Sequence, residues 1–93
     1  MRCSAVGLAG EFLPSRTTLG QVVLSGEALI SGELTVHMAG QGMLVLQILP
    51  GDSAAEVALE LATRILMETR YDASVRSRGP AFSVALGVKA EVV

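Results

Sequence analysis

The chain has 93 residues and a net charge of −2, with 51% hydrophobic, 17% charged and 3% aromatic residues. That length makes one domain with a thin core, burying only about 60–65% of the surface its unfolded form exposes. The acidic balance excludes a general nucleic-acid surface, which needs a basic stripe, and no apolar stretch approaches the roughly 20 residues of a membrane span.

With no Trp, the core must come from Val, Leu, Ile, Ala and Met. So much apolar residue in a small chain implies a greasy surface or cover from other subunits, and cover is the better expectation because greasy monomers aggregate. Cys3 stands alone, so no internal disulfide can form. An intracellular product is expected, cytoplasmic or, if viral, in the virion.

The first ten residues imitate a signal peptide weakly, but Glu11 ends the apolar part, so the segment reads as mature sequence. Residues 1–20 are expected to form an N-terminal arm or an edge strand. A short strand over Ala5–Leu13 is weakened by Gly7 and Gly10, and Pro14–Thr18 reads as a loop. Residues 21–93 then form a single α+β domain.

From Gln21 the pattern is β. Val22, Leu24, Ala28 and Ile30 share one parity, with a bulge expected at Gly26. Leu34, Val36 and Met38 then alternate with Glu33, Thr35 and His37, a half-buried strand. Ala39–Gly42 suits a hairpin turn. The run Met43–Leu49 is apolar on both parities except at Gln47, which predicts a central strand covered on both faces.

Pro50-Gly51-Asp52 breaks the chain, and Ser53 with Glu56 three residues on predicts a capped helix start. The apolar positions of that helix, among them Val57, Leu59, Leu61, Ile65 and Leu66, fill an arc of roughly 200°, twice the usual ~100° stripe. This excess marks Val57, Leu59, Leu61, Ile65 and Leu66 as a candidate interface. Glu60 and Arg64 have the spacing of a helical ion pair, and Arg70 suits the helix C-terminus. Val75–Pro80 reads as a loop, and its Arg76 and Arg78 form a small basic cluster with Arg70, a candidate basic site. Phe82 to Val92 alternates as the cleanest amphipathic strand. The expected fold is α+β, a small antiparallel or mixed sheet of about four to five strands on one helix, in the order (β)βββαβ.

Catalytic equipment is sparse. His37 is the sole histidine, so with Cys3 it cannot complete a zinc set within the chain. A Cys3–His37 dyad is conceivable but lacks an orienting acid. Glu27 and Glu33 fall on polar strand positions, where solubility and edge protection are the plainer roles. Gly40-Gln41-Gly42 precedes a strand rather than a helix, against a dinucleotide motif. At the strand-to-helix turn Asp52 would repel a phosphate. The arginine cluster has no interleaved aromatics and reads first as solvation.

No cofactor is expected. The leading expectation is a non-enzymatic structural or assembly subunit that forms homo-oligomers or joins other assembly proteins. Small phage tail, neck and capsid-decoration components are similar in size and build, though no motif carries that likeness. The alternative is a small homodimeric ligand-binding or regulatory domain with a pocket between sheet and helix.

Overall fold

Polar–apolar alternation becomes seven strands and one helix in the computed structural model, which describes residues 2–13, 20–38, 42–69 and 71–88. In chain order, β1 (Arg2–Ala5), β2 (Ala9–Leu13), β3 (Gly20–Ser25), β4 (Gly32–Met38) and β5 (Gly42–Ile48) precede α1 (Ala54–Glu68). Strands β6 (Tyr71–Arg78) and β7 (Ala81–Val88) follow it. The class is α+β, as the pattern implied. The strands outnumber the expected four or five and divide between two antiparallel sheets, β1-β4-β5 and β2-β3-β7-β6.

The first segment contributes two edge strands rather than one. β1 pairs with β4 in the three-stranded sheet, and β2 pairs with β3 in the four-stranded sheet. Val6–Leu8 turns the chain from one sheet to the other. Gly32 is required at this junction, because a Cβ there would overlap the Val6 carbonyl. The Val6 amide donates to the Glu33 carbonyl at 3.0 Å. Pro14–Thr18 lies outside the described residues.

Strand β3 buries Val22 and Leu24 as the alternation requires. It stops at Ser25, and Gly26 takes φ +86° to end the strand instead of forming a bulge within it. Ala28 is buried but Ile30 is exposed, so the shared parity of these residues does not persist past Gly26. Strand β4 matches expectation, with Leu34 and Val36 buried and Glu33 and His37 exposed. Met38 pairs with Gly42 across the β4–β5 hairpin, whose turn residues 39–41 lie outside the described residues.

Two expectations are corrected here. Strand β5 is not central but an edge strand, covered on one face: Leu44, Leu46 and Ile48 are buried while Met43 and Leu49 are exposed. The segment read as a loop at Val75–Pro80 is mostly strand β6, with only Gly79-Pro80 turning into β7. Tyr71, Ala73 and Val75 of β6 pack against the core, and Asp72, Ser74 and Arg76 face out. β7 is a central strand, and its register with β6 runs from Tyr71↔Val88 to Arg78↔Ala81.

The helix begins where the sequence placed it. Ser53 Oγ accepts from the Glu56 amide at 3.2 Å. Thr69 ends the helix, its amide and hydroxyl both donating to the Ile65 carbonyl. The break before it is tied to the end of β3: the Ala28 amide donates to the Asp52 carbonyl and the Gly51 amide to the Ala28 carbonyl, each at 2.8 Å. Asp52 serves inside this turn, its Oδ2 accepting from the Leu49 amide at 2.9 Å. Val57, Ala58, Leu61, Ala62 and Ile65 of α1 meet Val22, Leu24, Val84 and Leu86 of the four-stranded sheet in one core with Leu34, Val36, Leu44, Leu46 and Ile48 of the other.

Candidate functional site

The five helix residues expected at an interface separate into two groups. Val57, Leu61 and Ile65 are buried by the chain's own sheets and offer nothing to a partner. Leu59 and Leu66, one heptad apart, remain exposed, and Met67 joins them at the outer surface. The wide apolar arc therefore has a core-facing centre and an exposed flank. Val57, Leu61, Ile65, Val84 and Leu86 are buried together between helix and sheet.

Arg64 carries a second role that the sequence did not show. It pairs with Glu68 rather than Glu60, and its Nη1 donates to the Val45 carbonyl of edge strand β5 at 3.0 Å. The hydrogen bond from Arg64 holds the Glu68 carboxyl below its ordinary value. A helix side chain thus satisfies one acceptor on a strand edge.

The basic cluster does not form as a loop. Arg76 is an exposed residue of β6, Arg78 occupies the strand position two residues on, and Arg70 lies outside the described residues. Cys3 and His37 do not make a dyad. Cys3 is opposite Val36 in the β1–β4 register and packs against the core, whereas His37 is one residue further along on the exposed face. Burial also pushes the Cys3 thiol up, which disfavours the thiolate a nucleophile needs. Glu27 forms an isolated bridge with Ser53, while Glu33 pairs with Gln47 on the three-stranded sheet. Among the described residues no three His, Cys, Asp or Glu side chains gather as metal ligands. No helix among them is long and apolar enough to cross a membrane.

The surface has two features sequence reasoning missed. The first is an apolar end. Segment 28–32 lies between residues 6–7 and 48–51, held by Val6–Glu33 and Gly51–Ala28 backbone hydrogen bonds and the Gly32↔Ile48 pairing. These three neighbouring segments expose Val6 (57%), Leu29 (85%), Ile30 (60%) and Leu49 (60%). The second is the outer face of the four-stranded sheet, opposite the helix, where Ala9, Glu11, Asp72, Ser74 and Arg76 are exposed. A shallow hollow of about 360 Å³ on this side is lined by Ala9, Gly10, Glu11, Val23 and Ser25. The signal for the apolar end was Leu29-Ile30, two consecutive apolar residues that break the parity of a strand. No protein-family model matches the chain, and comparison with curated proteins and with solved structures gives no match.

Proposed function

We propose that this chain is a non-enzymatic structural subunit that self-associates into a homo-oligomeric assembly. The observation that carries the reading is the apolar end formed by Val6, Leu29, Ile30 and Leu49, four large side chains left in water by three adjoining segments. Fully burying a side chain of this kind is worth about 1.5–3 kcal/mol, so cover from a neighbouring subunit has a clear driving force. Leu59 and Met67 on the exposed flank of α1 add a second apolar surface, as a subunit with several neighbours requires. A viral particle, with the chain as a tail, neck or capsid-decoration component, is proposed as the setting on size and build alone.

Sedimentation velocity over a hundredfold range of protein concentration tests the reading. The expected result is a mass that rises to a defined multiple of the 9.6 kDa chain or to a polymer. Leu29→Glu with Ile30→Glu should suppress that rise while leaving the circular dichroism spectrum unchanged. A monomer at every concentration would overturn the proposal.

A further inference from the structure

The outer face of the four-stranded sheet has a charge pattern that is complementary to itself. One cross-strand row runs Glu11↔Val23↔Ser83↔Arg76 from edge strand β2 to edge strand β6. All four belong to the face opposite the core, since their strand neighbours Phe12, Val22, Val84 and Val75 pack inward. Glu11 and Arg76 are exposed at the two ends of the row, three strand spacings or roughly 14 Å apart. Between them β7 presents small residues, Ala81, Ala85 and Gly87, while Ser83 is buried among its own chain's neighbours.

We infer that a second copy of this chain stacks on this face, related by a two-fold axis parallel to the strands and lying between β3 and β7. The inference rests on the assembly reading and names one of its interfaces. The axis turns each cross-strand row end for end, so β2 of one copy lies over β6 of the other. Glu11 then meets Arg76 of the second copy, and Arg76 meets its Glu11. Val23 comes to lie over β7 of the second copy, whose outward positions carry small residues, and the exchange is repeated by symmetry. The alternative two-fold, perpendicular to the strands within the same plane, puts β2 over β2 and sets Glu11 on Glu11 and Arg76 on Arg76. Like charges exclude it.

Packed sheets lie about 10 Å apart, a gap that a glutamate and an arginine can close together. Four strands at ~4.8 Å and about six residues at ~3.3 Å give a footprint of roughly 400 Å² per partner. The total of roughly 800 Å² falls below the ~1,200 Å² of a standard specific interface. The pair alone is therefore weak and salt-sensitive, and it gains strength when other surfaces of the subunit are engaged.

Charge reversal tests it in the full chain, with sedimentation equilibrium up to about millimolar protein and circular dichroism as the fold control. Both residues are exposed on edge strands, so the variants should fold. Each substitution acts twice in the dimer. Glu11→Arg or Arg76→Glu alone should raise the dissociation constant about tenfold or more, and the double variant Glu11→Arg, Arg76→Glu should return it to within about threefold of the original. If the original chain associates and all three variants match it, this face is not the interface while the assembly reading stands. If the original chain stays monomeric throughout, both fall.

Discussion

Leu61 and Leu59 are two residues apart on one helix and of one chemical type, yet only Leu61 should respond strongly to the same substitution. Leu61 is 0% exposed and packs in the single core, whereas Leu59 is 63% exposed. Leu61→Ala removes buried methyl groups and leaves a cavity, at a cost of about 2–5 kcal/mol. A chain of 93 residues is expected to have a total stability of about 5–14 kcal/mol at ~0.05–0.15 kcal/mol per residue. A loss of about 3 kcal/mol is thus a large part of the whole. At about 4–8 °C per kcal/mol it lowers the melting temperature by roughly 12–24 °C. Leu59→Ala takes nothing from the core and should stay within about 0.5 kcal/mol. Urea unfolding followed by circular dichroism measures both, at two protein concentrations so that association is separated from folding. The Leu61 effect should be the same at each concentration. Equal destabilisation by the two variants, or a larger effect at Leu59, would refute the helix orientation.

Three further outcomes follow from the geometry. Ser53→Ala removes the acceptor for the Glu56 amide and should cost about 1 kcal/mol in the same urea assay. Gly32→Ala drives a Cβ into the Val6 carbonyl and should speed hydrogen exchange of the Val6 amide, which bonds to Glu33, while amides of α1 keep their protection; unchanged exchange at Val6 would count against the junction. The Glu68 carboxyl, held down first by the Arg64 hydrogen bond, should titrate below its ordinary 4.5 by carboxyl carbon chemical shift and move back towards it in Arg64→Met. Because the folded value is the lower one, its contribution to stability is present above pH 4.5 and disappears as pH falls through the depressed value.

The helix and β4 were legible because their signals are local. Ser53 and Glu56 lie within one turn, and the alternation from Glu33 to His37 needs no partner to be read. Strand β5 was misread because an apolar run such as Met43–Leu49 reports composition and not position in a sheet; with β4 on one side only, Met43 stays in water. Strand β6 was hidden by Arg76, Ser77 and Arg78, which resemble a loop until β7 supplies the paired backbone. Its inward residues, Tyr71, Ala73 and Val75, alternate faintly and could have been read. The row Glu11, Val23, Ser83, Arg76 could not, since those residues come from four strands and only the register aligns them.

The pairing of β3 with β7 also governs the order of events during synthesis. Val22 waits for Val84, and Leu24 for Phe82, because β7, one of the two inner strands, comes from the far side of the helix. A nascent chain that has made β2, β3 and the helix still presents one bare, apolar strand edge in the middle of its future sheet. Pairings so distant in sequence form slowly, and an open edge invites the wrong partner. Until Ala81–Val88 has paired, the chain is in its most adhesive state, so refolding at high protein concentration favours association through the bare edge of β3.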